Sequence, residues 1–174
     1  MKRVTKVLLT FVVLILIFPS CTYKLSLGGA IIPPNMKTIR IDFFENNAAL
    51  VVNNLSTQFT EALKNRIRTT SSLSIVTGES ADASMSGSIT GYDISPISVN
   101  VASPNVAPIA GASQLTITVS VKYENKLKKD DNFQSSFSKS LPFTGDINGQ
   151  EQTLIAAINK QLTEDIFNKA FANW

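Results

Sequence analysis

Hydrophobic and polar positions change period several times along this chain. Val7 to Phe18 is apolar throughout except for Thr10. Such an uncharged run of about a dozen residues is too short for a ~30 Å hydrocarbon core, which takes roughly 20 helical residues to cross. From Thr38 to Phe44 the pattern alternates, with Ile39, Ile41 and Phe43 on one side and Arg40 and Asp42 on the other, which predicts a half-buried strand. Glu45-Asn46-Asn47 interrupts it, and Asn53 or Asn54 is placed to cap a helix running to about Thr69. Leu55, Phe59, Ala62, Leu63 and Ile67 recur at helical spacing and form its buried stripe, leaving Lys64, Arg66 and Arg68 as a solvated outer face.

Leu73 to Val76 reads as a short second strand and Gly78 to Asp82 as a turn. Ala83, Met85, Gly87, Ile89 and Gly91 then alternate with Ser84, Ser86, Ser88 and Thr90, a glycine-rich strand that has to lean on its neighbours. Val101 to Ser113 holds too many breakers for a regular element and predicts an uncharged, mildly apolar loop. Leu115, Ile117, Val119, Val121 and Tyr123 mark the clearest strand. Asn125 to Asn132 makes a charged hairpin turn, after which Phe133, Phe137 and Leu141 mark the returning, antiparallel strand. A last helix, roughly Gln150 to Ala172, carries Leu154, Ile155, Ile158, Leu162, Ile166, Phe167 and Ala170. Two amphipathic helices need one sheet face to bury against, so the expected fold is α+β, a two-layer sandwich with a mixed sheet of about four strands and both helices on one face. The strands flanking the first helix should be parallel, or separated by another strand in a split arrangement.

The start of the chain changes how the charge is read. Lys2, Arg3 and Lys6 precede the apolar run, and Phe18-Pro19-Ser20-Cys21 closes it, which is the layout of an export signal over residues 1–20. The chain's one cysteine follows a small residue at that junction, so Cys21 is the candidate lipid-attachment residue, its thiol the acyl acceptor. The other reading is an ordinary signal cut near Ser20, leaving a free thiol. Two or more acyl chains of roughly 15 carbons, at ~0.8 kcal/mol per CH₂, would hold the protein to a membrane by on the order of 20 kcal/mol. Residues 21–36, with Gly28-Gly29 and Pro33-Pro34, read as a lipidated tether, and residues 37–174 as one domain. Of the 16 Lys+Arg, three lie in the signal, which leaves 13 to balance 13 Asp+Glu. Net charge thus gives no reason to expect a nucleic-acid partner.

The chain has no histidine and no second cysteine, which removes Ser-His-Asp chemistry, disulfides and histidine-based metal sites. Phosphate-cradling glycine loops and paired carboxylates are missing too, and Gly87 to Gly91 is a strand pattern. We therefore expect no enzyme and no cofactor; a hydrolase would need two acidic side chains converging in a cleft. Lys126, Lys128 and Lys129 at the hairpin tip are candidate contacts for lipid phosphates, with Asp130 and Asp131 beside them to neutralise two of the three.

Cys21-Thr22-Tyr23, Ile32-Pro33-Pro34, Phe59-Thr60-Glu61-Ala62-Leu63, Gly87-Ser88-Ile89-Thr90-Gly91-Tyr92, Leu115-Thr116-Ile117-Thr118-Val119 and Glu164-Asp165-Ile166-Phe167-Asn168-Lys169-Ala170 with Trp174 resemble a divergent branch of the LptE family of lipopolysaccharide-assembly lipoproteins. The resemblance spans the mature chain, and its motifs are structural rather than catalytic. It implies an outer-membrane lipoprotein on the periplasmic side, anchored through acylated Cys21. Such a protein plugs an LptD-type β-barrel, helps it assemble, and takes part in moving lipopolysaccharide to the cell surface. The alternative is an accessory or binding lipoprotein of another envelope transport complex.

Overall fold

The computed structural model describes residues 32–50, 52–97 and 112–172. Cys21, the signal, most of the tether, Trp174 and the expected loop from Val101 to Gly111 lie outside the described residues. The elements in chain order are β1 (Thr38–Ile41), β2 (Glu45–Asn46), α1 (Leu55–Thr70), β3 (Ser74–Val76), β4 (Ala83–Pro96), β5 (Ala112–Asn125), a single 3-10 turn (Lys129–Asp131), β6 (Phe133–Thr144) and α2 (Glu151–Phe171).

The α+β sandwich with two helices and a mixed sheet is as expected, but the sheet has six strands rather than about four. Its order is β3-β1-β4-β5-β6, with β2 pairing to β4 as well. β1 is parallel to both β3 and β4, β2 is parallel to β4, and β4, β5 and β6 run antiparallel in turn. β1 and β3, the strands expected on either side of α1, are thus directly paired and parallel. The strand invisible to periodicity is β2, whose two residues are too few for an alternation to register, whereas β3 is the short strand expected at Leu73 to Val76. Ala112 and Ser113, expected in a loop, already belong to β5.

One face of the sheet and both helices share a core that includes Ile39, Met85, Ile89, Ile117, Val119, Val121, Leu55, Phe59, Leu63, Ile67, Ile155, Ile158, Leu162 and Ile166. Each such side chain contributes roughly 1.5–3 kcal/mol of transfer free energy before entropy is charged against it. The helices are also bridged at their surfaces, Gln58 Nε2 donating to Gln152 Oε1 at 2.8 Å and Arg66 reaching Glu164 at 3.3 Å.

Two expected orientations differ. Phe43 does not continue the buried alternation of β1: it is 56% exposed, and Phe44 is buried in its place. The strand ends at Ile41, the Asp42 N–H donates to the Met85 carbonyl, and the chain steps across into β2 with the Phe44 N–H bonded to Thr60 Oγ1 at 3.1 Å. That bond explains why Thr60 is buried on the α1 stripe, where Ala62 is only half-buried. Asn54 does occupy the cap position of α1, but in the left-handed region (φ 66°) and without a side-chain bond.

The Phe44 ring needs the missing side chain of Gly87. A Cβ there would run into the Ser120 carbonyl oxygen and come within 2.7 Å of the ring. A bulge between Ile89 and Gly91 then shifts the register, so that Tyr92 rather than Gly91 faces the helices. Its hydroxyl donates to Glu151 Oε1 at 2.7 Å at the start of α2, and burial, followed by the bond to Glu151, raises its pKa. At the opposite end, Asp82 Oδ2 accepts the N–H groups of Lys37 and Thr38 and the Thr38 hydroxyl, all within 2.9 Å.

Gly87→Val should destabilise the domain by about 3 kcal/mol or more, read as a fall in the denaturant midpoint; an unchanged midpoint would contradict the close approach of Phe44. The backbone N–H groups of Lys37 and Thr38 hold the Asp82 carboxyl below its ordinary 3.8. A depressed carboxyl stabilises the fold above its unfolded pKa, and that contribution disappears as pH falls from about 4 through the lowered folded value. Asp82→Asn should therefore lower stability at neutral pH and flatten the acid limb of the stability curve, measured by denaturant melts from pH 7 to 2.

Candidate functional site

The hairpin tip is built around two asparagines. Asn125, 2% exposed, accepts the N–H groups of Leu127 (2.9 Å) and Lys128 (3.0 Å) with its Oδ1, while its own N–H donates to Asn132 Oδ1 at 2.6 Å. The Asp131 and Asn132 amides close the 3-10 turn by donating to the Lys128 and Lys129 carbonyls. Below the tip lies an aromatic group. Tyr123 meets Phe133 and Phe171 at ring separations of 5.5 and 5.7 Å, and the Lys169 ammonium sits 5.9 Å from the Phe133 ring centre. The Tyr123 hydroxyl is pushed up to about 12, chiefly by burial and then by the Asp131 charge.

The three candidate lysines do not converge. Lys126 turns its ammonium to the Glu79 carbonyl, and its backbone N–H bonds to the Asp82 carbonyl. Lys128 is paired with Asp131 at 2.5 Å, a bond that raises its pKa, and Lys129 opens the 3-10 turn. The tip is thus a mixed-charge surface rather than a cluster of ammonium groups. A cavity of about 290 Å³ beside it is lined by both signs, Lys128 and Lys169 against Asp130 and Asp131, with Pro33, Phe133 and Phe171 as its apolar part.

The second feature is the sheet face turned away from the helices. Cross-strand registers place Ser88, Ser120 and Ser136 in one row, Thr118 beside Ser138 in the next, and Thr116 beside Ser140 beyond that. Thr118 and Ser138 share a hydrogen bond of 3.0 Å, and Thr116 and Ser140 one of 2.7 Å. Charge is confined mostly to the hairpin-tip end. Arg40 spans Asp42 (3.0 Å) and Glu79 there, and Lys122 pairs with Glu124 at 2.8 Å, which holds the Glu124 carboxyl below its ordinary range. From the Ser88 row to the far end, Glu45, opposite Ser88, and Asp93 are the charged residues of this face among the described residues. A face of mutually bonded hydroxyls loses little solvation when another surface covers it, whereas ion pairs would have to be desolvated.

Sequence reasoning found the lysines and missed this face, although Ser84, Ser86, Ser88, Thr116, Thr118 and Ser120 alternate openly in the chain. It also missed the Asn125 and Asn132 frame, which two asparagines bracketing a charged turn could have signalled. Among the described residues no group of His, Cys, Asp and Glu could hold a metal ion, and no helix is long and apolar enough to cross a membrane.

Two packed layers, one sparsely charged hydroxyl-lined face and a polar tip define a domain of the α+β sandwich class. The chain matches the lipopolysaccharide-assembly family LptE over residues 36–170, and it belongs to that family. No curated protein matches it. Among solved structures it is similar to the hypothetical protein CT253 from Chlamydia trachomatis, with a TM-score of 0.54 at 10% identity, over 79% of this chain and 99% of that one. It is also similar to the rare lipoprotein B from Shewanella oneidensis, with a TM-score of 0.50 at 11% identity, over 76% of this chain and 92% of that one. These two likenesses concern the fold alone. Family membership makes the protein a lipopolysaccharide-assembly-type lipoprotein of the bacterial envelope, in a family that is not enzymatic.

Asn125→Ala leaves the Leu127 and Lys128 amides without their acceptor, while the backbone N–H of residue 125 keeps its bond to Asn132. It should cost about 1–3 kcal/mol and raise hydrogen exchange at those two amides before the rest of β5; unchanged exchange there would contradict the frame.

Proposed function

We propose that the protein is an outer-membrane lipoprotein, anchored by acyl chains on Cys21 at the periplasmic side, that plugs and helps assemble an LptD-type β-barrel carrying lipopolysaccharide to the cell surface. The observation that carries this reading is the sparsely charged, hydroxyl-lined sheet face on a chain of the LptE family. A plug is enclosed by its partner over a large area, and a face with few ions suits that enclosure because covering it strands few charges. Assembly help follows from the same rigidity: a preformed sheet offers a fixed surface against which a barrel wall closes. Direct contact with lipopolysaccharide would fall to Lys129 and Lys169, since Lys126 and Lys128 are already held by Glu79 and Asp131.

A second reading, an accessory or binding lipoprotein of another envelope transport complex, draws on the mixed-charge cavity under the hairpin tip. The two readings separate in a mild-detergent pull-down of the tagged, lipidated chain from outer membranes. The plug reading expects a large β-barrel in near-equal amount. Thr118→Glu combined with Ser138→Glu, which places two unpaired charges on the covered face, should cut barrel recovery about tenfold or more while leaving the fold intact. Recovery of the chain alone, or with a different transporter, would overturn it.

A further inference from the structure

β6 is the outermost strand of the sheet, and among the described residues its partner in the ladder is β5 alone. Its 12 residues therefore turn a long row of N–H and C=O groups outward. Native edges of this length are usually blunted by an inward-pointing charge or a proline. Here the inward charge, Lys139, is neutralised by Asp165 at 2.8 Å, and Pro142 sits near the strand's end, so the stretch before it stays open to pairing. On the helix side, Phe133, Phe137 and Leu141 pack against the core yet remain only half-buried. One more strand alongside would finish covering them.

The position of the incoming chain points to which strand. Ile32 packs against the core, and Pro33 lines the same cavity as Asn132 and Phe133, the first residue of β6. The chain thus reaches β1 by way of the start of the open edge. The residues just ahead, Thr22 to Ile31, read TYKLSLGGAI, in which Tyr23, Leu25 and Leu27 alternate with Lys24 and Ser26 at strand period. Ten extended residues span ~33 Å, which matches the length of β6 up to Pro142.

We propose that residues 22–31 add to the outer edge of β6 as an antiparallel strand. Traced back from Pro33, they run from Phe133 toward Leu141. Leu27, Leu25 and Tyr23 then fall on the helix side beside Phe137 and Leu141, and Ser26 and Lys24 join the hydroxyl-lined face. Gly28-Gly29 lets the added strand bend as it nears Phe133. The pairing sets the direction of the anchor: residue 21 is carried to the end of the sheet opposite the hairpin tip, the end where β4 passes into β5. An acyl group on Cys21 would then hold that end, and not the lysine-bearing tip, against the membrane. The strand itself does not depend on the barrel reading; only the membrane orientation depends on acylation of Cys21.

The test uses the full chain exported to the periplasm, with the parent carrying only Cys21 run alongside. Ser26→Cys is combined in turn with Ser136→Cys, Ser138→Cys and Ser140→Cys, and, as a control, with Ser88→Cys, which lies two strands further in. The expected result is an intrachain disulfide with one of the three β6 positions and none with Ser88→Cys, identified by the mass of the linked peptide. It should be lost when Leu25→Asp and Leu27→Asp are added. Failure of all three β6 positions to link to Ser26→Cys would overturn the proposal. So would dimer formation by Ser138→Cys alone, which would give the edge to a second copy of the chain.

Discussion

The ladder between β4 and β5, from Ala83 opposite Asn125 to Pro96 opposite Ser113, is what the other elements attach to. β4 also takes β1 and β2 end to end along its other edge, so a single strand carries pairing on both sides over its first half. That arrangement works only if the Phe44 ring can lie against the β4 backbone where the chain steps from β1 to β2, and Gly87 leaves the room. Thr60 then accepts the Phe44 amide and ties α1 to the same point. Strand, helix and crossover are thus fixed by one missing methyl group and one hydroxyl.

From that frame the two faces of the sheet acquire different roles. The side chains toward the helices are mostly apolar, Ser135 and Lys139 of β6 excepted, and supply the burial that offsets the ordering entropy. Those on the other side are mostly Ser and Thr, bonded to each other across strands, with ion pairs gathered near the hairpin tip. The sheet therefore has a polar end with several ion pairs and an end with few charges. Membership of a lipopolysaccharide-assembly family gives this asymmetry a setting in the envelope, and the plug reading uses the sparsely charged face as the surface that is enclosed.

Long periodic stretches were legible in the sequence. Leu115 to Tyr123, Leu55 to Ile67 and Ile155 to Phe167 each run for four alternations or more than three turns, enough for burial to dominate local preference. Legibility failed where a backbone step broke the period. Phe43 was placed inside because alternation was carried past Ile41, whereas the Asp42 amide bonds to Met85 and the next residue to turn inward is Phe44. Asn159 and Thr163, each 2% exposed, lie within an otherwise apolar stripe of α2, and nothing in the pattern marks them. The sequence shows the lysines at the tip and the aspartates beside them, but not that Glu79, from a distant turn, holds one lysine while Asp131 of the tip itself holds another.

The most direct test of the enclosed, sparsely charged face is site-specific photo-crosslinking in intact envelopes, with a photoreactive side chain placed singly at Thr118, Ser120 and Ser138 and, for comparison, at the exposed Leu127 of the tip. Adducts to one large β-barrel protein from the three sheet positions are the predicted result. Absence of an adduct from all three, with the protein present at normal level and Leu127 alone reacting, would contradict the account.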